Sequence, residues 1–203
     1  MERKPVVRVS APASVPLRIL GVDPGTVVLG WGVVESIAGR MRRIASGTLR
    51  CTGARADRLA AICDTMRALC AEHRPTALSL EQTFVGNNVQ SAFRLGEARG
   101  AVMVAASGAG LAVAEYSPAQ IKVAVAGSGR ASKAQMQLMV ARLLEVADAL
   151  AEDEADALGA AICHAHAGQF GALLASAGVA AFGGTGRGRR GGWRSATALL
   201  ARR

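Results

Sequence analysis

Strand-like and helical apolar runs alternate along this 203-residue chain and predict an α/β or α+β domain. The length suits one well-buried domain with something left over at the ends. Two apolar runs also deliver one acid each at their carboxyl ends, Asp23 and Glu81. In open α/β sheets, ligand sites gather at such strand ends. A later helical stretch opens on further acids, Asp153 and Asp156 among them.

Taken in order, residues 1–16 carry three prolines and two serines beside Arg3, Lys4 and Arg8, with no apolar period. They predict a flexible extension, or a start assigned too early, and lack the periodicity of a transit peptide. The domain is expected to begin near Leu17 and to run to residue 170. In ILGVDPGTVVLGWG, Ile19, Leu20 and Val22 form a short buried strand, Asp23 follows, and Pro24 and Gly25 turn the chain. Residues 27–34 lead away as the second arm of a hairpin, with Gly30 and Gly32 interspersed. A carboxylate at the root of that hairpin is costly unless its charge is compensated. An Asp-Pro-Gly also serves simply to cap a turn. Residues 42–50 predict a third strand, completing a meander. Residues 54–73 set Leu59, Ile62, Cys63, Met66, Leu69 and Cys70 along one helical face, and Pro75 ends that helix.

Residues 76–80 predict another short strand, with Glu81 at its end, so the pattern at Asp23 recurs. Residues 86–88 form a loop and 89–107 an Ala-rich helix whose Ala92, Gly96 and Gly100 allow close packing. Residues 108–110 turn into a strand at 111–115. A short helix at 117–125 follows, then a basic glycine-containing loop at 127–130. The next helix, 131–146, is amphipathic through Met136, Met139, Val140, Leu143 and Leu144. The last core helix, 152–167, opens on Glu152, Asp153, Glu154 and Asp156. Asp153 and Asp156 stand three apart and project from one side of the first turn. Acids also suit helix N-termini through the macrodipole and capping. Asp156, however, lies beside Ala157, Leu158 and Ala160 on a helix expected to be largely buried. Residues 171–203 are rich in Gly, Arg and Ala and predict a disordered or weakly helical tail. Its arginines suit non-specific phosphate affinity or solubility.

Twenty-four Lys and Arg against 15 Asp and Glu give a formal charge of +9. That excess suits a polyanionic partner, nucleic acid before an anionic membrane. Cys51, Cys63, Cys70 and Cys163 show no CxxC spacing, and Cys63, Cys70 and His73 fit a packed helix face better than a zinc site. Scattered cysteines without a signal peptide predict reduced thiols in a cytoplasm. The most apolar stretch, 101–114, is too short to span a bilayer.

If Asp23, Glu81, Asp153 and Asp156 converge, like charges about 4 Å apart repel by about 4 kcal/mol per pair at an effective dielectric near 20. Such a cluster requires protonation or cations, and all-oxygen ligands select Mg²⁺ or Mn²⁺ over zinc. Paired hard cations are a standard arrangement for phosphodiester cleavage.

ILGVDPGTVVLGWGVVE resembles the opening of the RuvC family of Holliday-junction resolvases. LSLEQTFVGNNVQSAFRLGEARGAVMVAA is similar to that family's EQ-x-F stretch and the helix after it, with its LG-x-ARG core. VAEYSPAQIKVAVAGSGRASKAQMQ resembles the family's EY…K…G-x-G…K-x-Q segment, and DEADALGAAICHAH its D-x-x-DALA helix. The four segments run in family order over residues 17–166. The resemblance implies an RNase H-like fold, a mixed five-stranded sheet flanked by helices on both faces, working as a homodimer. It places the catalytic and metal-binding acids on Asp23, Glu81, Asp153 and Asp156, although some members carry His at the position of Asp153. It also implies two Mg²⁺ per subunit (Mn²⁺ as a substitute), with Asp23 bridging them, and 5′-phosphate and 3′-hydroxyl products. Lys122 and Lys133 fall on the family's basic positions near the scissile phosphate, and Phe84 on an aromatic that contacts junction bases. The implied partners are four-way junction DNA and a branch-migration motor complex of the RuvA and RuvB type. Residues 1–16 and the Gly/Arg tail have no counterpart in the family.

Two other classes compete. D-x-G-T followed by glycines also resembles the first phosphate loop of actin-like ATPases and sugar kinases, but those need two such lobes and this chain has one. GSGRASK is no Walker loop, because no glycine immediately precedes Lys133. A non-catalytic junction-binding protein is favoured only where the acids are lost, and all four are present.

Overall fold

The computed structural model describes residues 16–25, 27–82 and 88–176. The elements follow in the order β1 (Leu17–Asp23), β2 (Val28–Ile37), β3 (Arg40–Arg50), α1 (Arg55–His73), β4 (Ala77–Glu81), α2 (Val89–Gly108), β5 (Ala112–Tyr116), α3 (Pro118–Ala126), α4 (Lys133–Leu143) and α5 (Glu152–Ser176). The strands form one sheet in the order β3-β2-β1-β4-β5. β2 runs antiparallel to β1 and β3, while β1, β4 and β5 are parallel. The chain divides into a compact unit ending at Phe170 and a second unit from Gly171.

Successive strand residues point to opposite faces, and that alternation sorts the whole molecule. Leu20 and Val22 of β1 join Leu29, Val33, Leu78 and Leu80 in a core with Ile62 and Met66 of α1 and Val102 and Ala106 of α2. Ile19 faces the other way, with Val34, Ile121 of α3, Met136 and Val140 of α4, and Leu158 and Ile162 of α5. Helices therefore cover both faces of a mixed five-stranded sheet, as the resemblance implies.

On the α5 side the centre of the sheet carries almost no bulk. Gly21 pairs with Gly32 across the β1–β2 ladder, and Asp23 with Gly30. A Cβ at Gly21 would overlap the Ala157 carbonyl oxygen, one at Gly30 the Asp153 carbonyl oxygen, and one at Gly32 the Leu158 side chain. α5 therefore rests directly on the backbone of β1 and β2. The buried Ser79 of β4 fastens it further, donating to the Ala160 carbonyl at 2.7 Å.

Element limits differ from the sequence expectation where capping decides. α4 starts at Lys133 because Ser132 and Gln135 close a capping box. It stops at Leu143, short of residue 146, and Glu145 then takes a left-handed φ of 54°. β3 begins at Arg40, after a turn with Ala38 at φ 49° and Gly39 at φ 87°. α5 runs on to Ser176, past residue 167. The expectations for residues 1–15, for Phe84 and for residues 177–203 lie outside the described residues. Among the described residues no helix is long and apolar enough to cross a membrane.

Candidate active site

Strand parity puts Asp23 on the same face as Ile19 and Gly21, and Glu81 on the same face as Ser79. β1 and β4 are parallel neighbours with Val22 opposite Leu80, so one further step sets the two acids side by side. Both stand at carboxyl ends, where the strands stop and α3 begins beyond Tyr116, the β5 partner of Glu81. α5, seated on Gly30 through the Asp153 backbone, brings its first turn to the same edge.

The charges show that the acids share one space. Burial, and then Asp156, Glu81 and Asp153, push the Asp23 carboxyl up to about 7, against a pull downward from Lys133. Burial and Asp156 raise Glu81, with Lys122 and Lys133 opposing. Burial also raises Asp156, where Lys133 opposes and Asp153 adds to the rise. Sequence-distant acids thus hold one another's protons more tightly, as like charges in a partly desolvated site must.

Beside them opens a cleft of about 260 Å³ lined by Glu81, Lys122, Lys133 and Asp156, with Ile121 and Met136 as apolar wall. The Lys133 ammonium lies 3.8 Å from Asp156 Oδ2 and also pairs with Glu152. The structure therefore brings together Asp23, Glu81, Asp153, Asp156, Lys122 and Lys133. Among the described residues, no three acid, histidine or cysteine side chains stand close enough to enclose an ion as they lie. The carboxylates lie near enough for their charges to act on one another. Their donors are all hard oxygens, which suit Mg²⁺ or Mn²⁺. Against the pull of the lysines, burial and the neighbouring acids still raise Asp23, Glu81 and Asp156 above their ordinary values.

The acidic run at the start of α5 divides its labour. Glu154 turns away from the cleft: its carboxylate accepts from the Ser46 hydroxyl, lies 3.7 Å from Arg43, and accepts from the Ala151 amide at 3.2 Å. It pins the first turn of α5 to β3. His164 and His166 are likewise anchors, with Nδ1 2.8 Å from the Tyr116 hydroxyl and 3.1 Å from the Ala124 carbonyl respectively.

Sequence reasoning missed the seat that makes the site. Gly21, Gly30 and Gly32 fall at every second position of the two arms of a hairpin, and that spacing was the available signal. It also missed Arg99 of α2, which donates to the Glu81 carbonyl at 2.6 Å.

A family model described as crossover junction endodeoxyribonuclease RuvC matches residues 19–164. A protein of that description from Halorhodospira halophila is 53% identical over 152 residues, covering 73% of this chain and 90% of its own. One from Alkalilimnicola ehrlichii is 49% identical over 163 residues, covering 80% and 99%. The solved structure of Thermus thermophilus RuvC in complex with a Holliday junction substrate is similar at a TM-score of 0.73 and 33% identity, covering 76% of this chain and 96% of that one. A yeast mitochondrial Holliday junction resolvase, at 12% identity and a TM-score of 0.59, shares the fold.

Proposed function

This chain belongs to the RuvC family of crossover junction endodeoxyribonucleases, and from that premise we propose that it resolves Holliday junctions by paired, symmetrical nicks in strands of like polarity. The observation that carries the reading is Asp23, driven to about 7 by burial and three further acids, two of which, Glu81 and Asp156, line a lysine-bearing cleft. That excess of negative charge is what divalent cations relieve and what a phosphodiester chemistry needs.

In this reading Asp23, Glu81, Asp153 and Asp156 would hold two Mg²⁺ ions, or Mn²⁺ in their place. Bound there, such ions would supply an activated water and a counter-charge for the departing 3′ oxygen, and the products expected are 5′-phosphate and 3′-hydroxyl ends. The protein's own part is to hold the acids on a fixed strand edge and to meet the phosphate with cations. Lys122 and Lys133, which line the cleft, are assigned to neutralising it. For Lys133 this means exchanging Glu152 and Asp156 for phosphate oxygens. Phe84 is assigned to stacking on junction bases.

Two opposed nicks call for two sites, and α2 offers a surface for pairing. Val89, Phe93 and Val104 are 62%, 69% and 67% exposed on one helical stripe with Gly96 and Gly100. A Cβ at either glycine would meet nothing among the described residues, so packing there gives no reason for their smallness. A second copy lying along α2 does. The homodimer would work in the cytoplasm with a branch-migration motor complex, in recombination and DNA repair.

Incubating the protein with a synthetic four-way junction, with and without EDTA, tests the reading. Symmetrical, EDTA-sensitive nicks are expected. In the same assay Asp23→Asn should bind the junction and fail to cut it; cutting at the normal rate would overturn the assignment. Gly96→Trp should run as a monomer on a sizing column, and a normal dimer would move the interface elsewhere.

A further inference from the structure

Arg99 lies on α2 with its side chain only 14% exposed, reaching the carboxyl end of the sheet. One guanidinium nitrogen donates to the Glu81 main-chain carbonyl at 2.6 Å, and another lies 2.7 Å from Glu115 Oε1 on β5. On the same peptide group, the Gln82 amide donates to the Tyr116 carbonyl at 2.7 Å, the last backbone tie between β4 and β5 among the described residues. The two restraints therefore hold opposite edges of the peptide that follows the Glu81 Cα.

The partners of Arg99 distinguish holding from charge neutralisation. The charges that act on the Glu81 carboxyl are Asp156, Lys122 and Lys133, and Arg99 is not among them. Its guanidinium grips the main chain, and Glu115 meets the rest of its charge. The carboxylate of Glu81 is left to face the cleft, while its backbone is fixed from behind by the helix. A planar fork spanning a carbonyl and a carboxylate fixes both distance and direction, which a flexible lysine does not. Misplacing a reacting group by about 1 Å can cost about a hundredfold in rate.

Resting on the nuclease reading above, we propose that Arg99, braced by Glu115, is a positioning residue for Glu81. It touches neither substrate nor cation. It sets where β4 ends and therefore where the Glu81 side chain starts.

The test compares Arg99→Gln, Arg99→Lys and Glu115→Gln with the wild-type full chain on a synthetic four-way junction. Single-turnover cleavage, junction affinity in EDTA, the pH–rate profile and amide exchange at residues 80–82 are measured on each. Arg99→Gln should cut about 10–100-fold more slowly, with junction affinity within about twofold of wild type. Its pH–rate profile should keep its position, because no charge facing Glu81 is lost. Amide exchange at residues 80–82 should quicken. Arg99→Lys should recover part of the rate, and Glu115→Gln should lose a smaller part. A rate within about twofold of wild type, a loss that follows junction affinity or folded fraction, or a displaced pH profile would overturn the proposal. If Arg99→Gln does not fold, Glu115→Gln decides it, since that variant keeps the bond to the carbonyl; an unchanged rate and unchanged exchange reject the brace. If wild type itself does not cut, the nuclease reading has failed, and exchange at residues 80–82 still judges the positioning role.

Discussion

The two ends of the β1–β2 ladder hold two carboxylates in opposite electrostatic states. At one end Arg18 stands across from Glu35, and at the other Asp23 stands across from Gly30. Glu35 is 3% exposed, yet it receives hydrogen bonds from Arg18 at 2.7 Å and from Arg42 at 2.6 and 2.9 Å. Those bonds from Arg18 and Arg42 hold its carboxyl below the usual range. Asp23 faces a residue with no side chain, and α5 fills the space, so burial first and the added acids second raise its carboxyl to about 7, with Lys133 pulling the other way. Burial alone therefore does not mark a working acid in this sheet. Burial among further acids, in place of hydrogen-bonded arginines, marks it.

The largest effect expected from this contrast is on chemistry. Asp23→Asn should lower cleavage by about a thousandfold or more while leaving junction binding intact, whereas Glu35→Gln should leave the rate per folded molecule within about twofold. Comparable losses from the two variants would erase the distinction. Next comes the seat of α5. Gly30→Ala forces the Asp153 backbone off β2, and a shift of about 1 Å should slow cleavage by about 10–100-fold with modest loss of affinity. A Gly30→Ala enzyme with normal kinetics would show that the close approach is dispensable.

Stability should split the same way with smaller amplitude. Glu35→Gln should cost about 1–3 kcal/mol at neutral pH, measured by urea denaturation, because two arginines lose their acceptor. The pH dependence is subtler still. Glu35 has a lowered folded pKa, so its stabilisation is present above its ordinary value of 4.5 and drains away as pH falls below it. Asp23 has a raised one, so stability is retained while it is protonated and is lost as pH climbs from its ordinary 3.8 through about 7. In EDTA at pH 8, Asp23→Asn should therefore unfold a few degrees above wild type. Equal melting temperatures from pH 4 to 8 would contradict the raised value.

Much of this was legible in the chain because alternation along a strand is a local property. Leu20 and Val22 against Ile19, Gly21 and Asp23 assign faces without any tertiary information, and Leu78 and Leu80 do the same for Ser79 and Glu81. The strand-then-acid pattern follows from that, and so does the same-side spacing of Asp153 and Asp156. What the residues could not give was contact across distance. Nothing in the run EDEAD says that Glu154 turns to Ser46 and Arg43 while Asp156 turns to Lys133. Nothing near Arg99 announces a carbonyl 18 residues earlier. Glu35 sits in an apolar run, and its partners Arg18 and Arg42 come from two neighbouring strands.

The parity of β1 also has an evolutionary edge. Because its two faces carry such different cargo, one added or deleted residue ahead of Asp23 would turn the acid toward Val102 and Met66 and drive Val22 into the cleft. Substitutions in this strand can be graded and repaired one at a time, but a length change inverts everything at once. Descent within such a lineage can vary loops and ends freely while the stretch from Leu17 to Asp23 keeps its count.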